Sequence, residues 1–248
     1  MPGDGGFRFV VAGEDRGHHA VVRALARRCL GDAIAWFADI DHDSDDRWHF
    51  EAITRAHQQA KTRGLKLHGK FGAEPAKPDA HMVRAQLALW ALDDWPFDFA
   101  VVARDTDGQP ARLDGARQAL RDHPPRKPVV LAYAEPEVEA WVIAGWDPRD
   151  EAEQRRLDHV VARLSFDPRR SPDRLTAKRQ SDPRDAKAVL GELCGGSETE
   201  AHWARCTDAP TERWREHTTN VGGPSFLDGL LHEVVPALLR LTAAARSS

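Results

Sequence analysis

The stretch Phe97-Asp98-Phe99-Ala100-Val101-Val102-Ala103-Arg104-Asp105-Thr106-Asp107-Gly108 decides how this chain folds. Up to Ala103 it is short and apolar enough for a buried strand, and it then runs into two aspartates and a glycine, where a strand stops and the chain turns. Upstream, 80–92 carries Met82, Ala85, Leu89 and Leu92 as an apolar stripe at helical spacing, with Asp79 as its candidate cap. Downstream, a helix over 110–121, a strand over 128–134 and a helix from 136 to about 145 follow in turn. Towards the N-terminus, 7–12 reads as another buried strand ending at Gly13-Glu14, and 19–30 as a helix with Val21, Val22, Leu25, Ala26 and Cys29 on one face. A strand over 33–38, a helix over 50–63 and a short strand at 65–68 within a Gly-, Pro- and Lys-rich loop complete this part. Strands that alternate with helices require crossovers, so the expected class is α/β, a mainly parallel sheet with helices on both faces.

Beyond Trp146 the pattern changes to helices alone, near 151–164, 183–194, 199–206 and 225–243, the last with a stripe of Leu227, Leu230, Leu231, Val234, Leu238 and Leu241. The expected organisation is an α/β core over 1–148 and an α-helical C-terminal region over 149–248 packed on it.

Composition removes several classes of function. No run of about 18 apolar residues exists to span a membrane, and the start MPGDGGFRFVVAGED has no basic segment leading into an apolar one, so a cytoplasmic protein is expected. Cys29, Cys194 and Cys206 form no CxxC pair, which fits reduced core thiols better than zinc or disulfides. With 35 basic against 39 acidic residues the chain is no bulk polycation, so any phosphate-rich substrate must be met by a local patch or by metal ions.

In an open α/β sheet, ligands bind beyond the carboxyl ends of the strands. Glu14 follows the first strand, Asp105 and Asp107 the central one, and Glu135, Glu137 and Glu139 the strand over 128–134. Carboxylates gathered from three strand ends oppose one another's ionisation unless a cation neutralises them, and all-oxygen donors select Mg2+ or Mn2+ over zinc. The Asp-x-Asp spacing aims both side chains the same way, and Gly108 allows a sharp turn beside the ion. Each carboxylate also has a plainer reading: a turn bonded to nearby amides for Asp105 and Asp107, a helix-end carboxylate for Glu14, and a surface helix position for Glu139.

Phe9-Val10-Val11-Ala12-Gly13-Glu14 and Val101-Val102-Ala103-Arg104-Asp105-Thr106-Asp107-Gly108 together resemble the glutamate and Asp-x-Asp motifs of the Toprim superfamily. The run Leu131-Ala132-Tyr133-Ala134-Glu135-Pro136-Glu137-Val138-Glu139-Ala140-Trp141 is similar to that of small stand-alone, RloB-like and OLD-related Toprim proteins, commonly associated with phage-defence loci. The resemblance covers about 7–146, with a fainter match at Ser181-Asp182-Pro183-Arg184-Asp185-Ala186-Lys187. It implies a Toprim-like fold and a divalent-metal-dependent nuclease acting on DNA or RNA, with Glu14, Asp105 and Asp107 catalytic and the same three plus Glu139 as metal ligands. The group often carries a second acid four residues after the motif glutamate, where this sequence has His18.

From Arg163 to Lys187 there are eight Lys or Arg against four Asp, an excess able to track a phosphate backbone. Lys178, Arg184 and Lys187, with His18, are the candidate substrate-binding residues. The acidic run 39–46 does not fit a calcium loop, because Ser44 and Phe50 stand where glycine and glutamate are required. Nucleic acid is the expected partner, with an ATPase partner protein and a homodimer also entertained. The rival reading is a non-catalytic regulator that uses the scaffold to bind nucleotide or a partner ATPase. Topoisomerase chemistry is disfavoured, since the single tyrosine, Tyr133, falls inside an expected buried strand.

Overall fold

The computed structural model describes residues 7–39, 47–67, 71, 74–177, 181–196 and 200–246. Four parallel strands, β1 (Phe9–Gly13), β2 (Trp48–Ala52), β3 (Phe99–Asp105) and β4 (Val129–Ala134), form one sheet in the order β2-β1-β3-β4. Gly13 pairs with Ala103 and Asp105 with Ala134, so the carboxyl ends of β1, β3 and β4 lie side by side.

The sheet is covered on both faces, as strand alternation dictates. Phe9, Val11, Phe99, Val101, Val130 and Ala132 face one core, shared with α1 (Arg16–Ala33), α6 (Val138–Gly145) and the C-terminal helices. Val10, Ala12, Ala100, Val102, Val129 and Tyr133 face the other, shared with α3 (Ala56–Thr62), α4 (Ala80–Leu92) and α5 (Ala111–Asp122). Each fully buried Val, Leu or Phe adds about 1.5–3 kcal/mol relative to exposure, so the strand ends rest on a firmly packed base.

The chain first moves from β1 to β2 on one side and later returns to β3 on the other. That reversal leaves a crevice between the carboxyl ends of β1 and β3, the place where open α/β sheets bind ligands.

The C-terminal part is helical, with α7 (Glu151–Leu164), α8 (Ala186–Leu193), α9 (Glu200–Trp203), α10 (Thr211–His217), α11 (Gly223–Gly229) and α12 (Val235–Arg246), a π-helical stretch at 230–234 joining the last two. Trp141 of α6 stacks on Phe226 and meets Trp214 edge-on, so this region shares a core with the sheet. Among the described residues, no helix is long and apolar enough to cross a membrane.

Three expected elements are corrected. Residues 35–38 form a short helix, α2 (Ala35–Ala38), instead of a strand; the segment is alanine-rich with Ile34 as its lone β-branched residue, and Trp36 stacks on Phe7 while Phe37 packs on Phe9. Helix 50–63 begins only at Ala56, because Trp48–Ala52 pairs with β1 as an edge strand, Trp48 lying opposite Phe9 with ring centroids 4.8 Å apart. Residues 65–67 form no strand, and His68 lies outside the described residues. So does most of the acidic run, 40–46.

Candidate metal centre

The sheet sets Asp105 as the last residue of β3, the strand flanked by β1 and β4, at the edge of the crevice between β1 and β3. Its Oδ1 accepts from the backbone N–H of Val138, the first residue of α6, at 2.7 Å, and lies 3.1 Å from Nε2 of His18. Both contacts engage the same oxygen, and neither engages Oδ2.

Two residues on, Asp107 adopts a left-handed conformation (φ 51°), followed by Gly108 at φ 71°. Aspartate tolerates this region better than most non-glycine residues, and two contacts hold it there. Its N–H donates to the carbonyl of Pro136 at 3.0 Å, and its Oδ2 accepts from Nη1 of Arg112 at 2.6 Å.

After β4 the chain bends through the cis Glu135–Pro136 bond and delivers Glu137 and Glu139 to the same place. Glu137 is 1% exposed and Glu139 3%. Neither oxygen of Glu137 has a hydrogen-bond partner, nor does Oε2 of Glu139. Lys187, in the first turn of α8, places Nζ 4.0 Å from Glu137 and 3.7 Å from Glu139. Burial raises Glu137 to about 7, a rise that Lys187 partly offsets. Burial likewise raises Glu139 to about 8, with Asp105 adding to the rise and Lys187 opposing it.

Asp105, Asp107 and Glu137 each offer an oxygen, and these atoms all lie within 4.8 Å of one another. The donors are all carboxylate and two of the three residues are buried, which suits a hard divalent cation.

His18 is 2% exposed and stands between two carboxylates, with Nδ1 2.9 Å from Oδ1 of Asp15 and Nε2 facing Asp105. Ionised carboxylates only accept, so two such neighbours favour the doubly protonated, cationic ring. Burial alone would lower its pKa, but the hydrogen bonds to Asp105 and Asp15 outweigh burial and raise it to about 10. Asp15 also caps α1, accepting from the His18 N–H at 3.1 Å.

The candidates from sequence separate as follows. Asp105 and Asp107 come together, and Glu137 from the end of β4 joins them, while Glu14 and Glu139 are not part of that group. Glu14 sits at the end of β1 as an ion pair, Oε1 2.7 Å from Nε of Arg104, which also lies 3.5 Å from Asp79. Glu139 borders the group through Lys187. Arg184 is half exposed and pairs with its neighbour Asp182. Lys178 lies outside the described residues.

Sequence reasoning did not find Arg112, which reaches back to Asp107 from five residues on, across the turn that starts α5. The role of His18 had a local signal, the Asp15-x-x-His18 spacing of a capped first turn. A cavity lined by Lys66, Arg84, Leu87, Trp95, His123 and Arg126 contains none of these carboxylates. Comparison of the chain with protein-family models, with curated proteins and with solved structures finds no match.

Proposed function

We propose that this protein is a divalent-metal-dependent nuclease of Toprim type that hydrolyses phosphodiesters of DNA or RNA in the cytoplasm, using Mg2+ or Mn2+, in defence against phage. One arrangement carries the reading: Asp105, Asp107 and Glu137 converge within 4.8 Å at a sheet switch point, and both oxygens of Glu137 are buried without a hydrogen-bond partner. Lys187, 4.0 Å from Glu137, offsets only part of the cost of burying that carboxylate, and a bound cation would remove more of it.

Asp105, Asp107 and Glu137 would hold the ion, with Glu139 beside them. Such an ion supplies charge against the phosphate and makes its bound water more acidic. Asp105 is kept in place by His18 and the Val138 N–H, so its free Oδ2 has a fixed direction. Lys187 is 55% exposed at its side chain while reaching the buried glutamates, so its ammonium can pass to a phosphate oxygen of the substrate. Glu14 is available to the centre only when its pairing with Arg104 opens.

A cleavage assay over single- and double-stranded DNA and RNA with Mg2+ or Mn2+ tests this. The D105N/D107N double variant, with folding checked by circular dichroism, should lose all metal-dependent cleavage; undiminished cleavage by a folded double variant would overturn the assignment.

One observation favours the regulator. His18, Arg112 and Lys187 already place three cations against these carboxylates, a stable arrangement for a scaffold that binds no ion. Calorimetry separates the readings, since a folded protein that takes up no Mn2+ with or without DNA is the regulator.

A further inference from the structure

Arg112 lies in the first turn of α5, and its Nη1 donates both to the carbonyl oxygen of Asp105 at 3.0 Å and to Oδ2 of Asp107 at 2.6 Å. At the second acceptor the chain turns through two successive left-handed residues, Asp107 and Gly108, of which only the second is glycine. Aspartate enters this region more readily than most residues but less readily than glycine, so the turn that faces the Asp107 carboxylate towards Asp105 and Glu137 gains from a tie that holds it. The Arg112 side chain is 16% exposed and that of Asp107 6%, so the pair is largely shielded from water.

We propose that Arg112 is the positioning residue of the metal centre, tying the two ends of the Asp-x-Asp turn together and holding Asp107 in its left-handed conformation. The inference rests on the metal-dependent reading above and adds to it a residue that neither strand motif contains.

The competing account of an arginine beside a metal ligand is electrostatic, and it has the opposite sign. A guanidinium paired with Asp107 repels an incoming cation and occupies one ligand oxygen, so by charge alone its removal should tighten metal binding. If Arg112 instead fixes the turn, its removal lets Asp107 relax and its carboxylate leave the group. Binding then weakens although a repelling charge has gone.

The test is titration calorimetry with Mn2+ on the full chain as wild type, R112Q and R112K, with thermal unfolding of each metal-free protein. R112Q is expected to bind Mn2+ at least tenfold more weakly. R112K keeps the charge but loses the planar fork, and is expected to fall between R112Q and wild type. Affinity in R112Q equal to or tighter than wild type overturns the proposal. Should R112Q fail to fold, R112K decides alone, weaker binding supporting the proposal and equal or tighter binding overturning it. Wild-type protein that binds no Mn2+ overturns this inference and the functional reading together, whereas wild-type binding left unchanged in the variants overturns this inference alone.

Discussion

Nε2 of His18 lies 3.1 Å from Oδ1 of Asp105, joining the first turn of α1 to the end of β3 across 87 residues of sequence. A cation in the first turn of a helix opposes the helix dipole, so the two carboxylates on either side of the ring must outweigh that cost as well as burial.

Removing His18 therefore leaves the buried Asp105 carboxylate without its cation, whereas Asp15, 65% exposed, stays solvated. His18→Ala should destabilise the protein by about 3–5 kcal/mol in urea unfolding, the range for breaking a buried pair. The His18 pKa is raised in the folded state from 6.5 to about 10, so its stabilisation is complete below 6.5 and is lost as pH rises through about 10. His18→Gln should flatten stability against pH over that window; an unchanged slope would show that the imidazolium contributes nothing.

Glu137 and Glu139 give a second pH signature. Their folded pKa values are raised from 4.5 to about 7 and about 8, so the folded state holds more protons than the unfolded one above 4.5, and metal-free stability falls as pH rises towards 8. Replacing either by Gln removes a buried, poorly partnered charge and should stabilise the metal-free protein at pH 8 by about 1–3 kcal/mol, while weakening Mn2+ binding. Denaturant melts at pH 5 and pH 8 check this. Loss of stability at pH 8 in both Gln variants would contradict it.

Ion binding itself should appear as added stability. At a hundredfold excess over its dissociation constant, Mn2+ stabilises the folded state by about 2.7 kcal/mol. For a chain of this length that corresponds to roughly 5–10 °C in melting temperature. The D105N/D107N variant should show no such shift, and a shift of the same size would place the ion elsewhere.

Much of this was legible in the sequence, and the exceptions have physical causes. Helix Ala80–Leu92 and helix Glu151–Leu164 begin and end where their apolar spacing says they should. Asp79, however, makes no side-chain cap and sits at φ 67°, accepting from the Tyr133 hydroxyl at 3.2 Å instead. Strand Trp48–Ala52 was hidden because an edge strand is buried on one side only, and its first residue is fixed by the aromatic partner Phe9, a contact invisible to local pattern. Asp105 and Asp107 could be read from their place after the most apolar strand. Arg112 could not, because an arginine on an amphipathic helix looks like any solvated charge until the fold shows what it faces. Glu137 could not be told from Glu135 and Glu139 for a related reason: sequence spacing alone does not show which carboxylate the bend at 135–137 turns inward.

The C-terminal helices also bear on the site, through Gly222. Its φ is 90°, and a Cβ there would stand 2.3 Å from the carbonyl oxygen of Tyr133 in β4. The preceding carbonyl, that of Val221, accepts both from the Glu135 N–H at 3.1 Å and from Nε1 of Trp141 at 2.7 Å. Residues 221 and 222 thus clamp the bend that delivers Glu137, one from before it and one from the helix after it. Gly222→Ala adds a left-handed alanine, which costs about 1–2 kcal/mol, and a backbone clash that only movement of β4 or of α11 can relieve. The expected result is a loss of more than about 2 kcal/mol in urea unfolding, within the range of strained-backbone substitutions. Mn2+ affinity should fall with it, although residue 222 contacts no candidate ligand. Trp141→Phe removes one of the two hydrogen bonds to Val221 and should move both quantities the same way, by about 1 kcal/mol in stability. A Gly222→Ala protein that is destabilised yet binds Mn2+ like wild type would show the helical region to be a brace for the sheet with no part in shaping the carboxylate group.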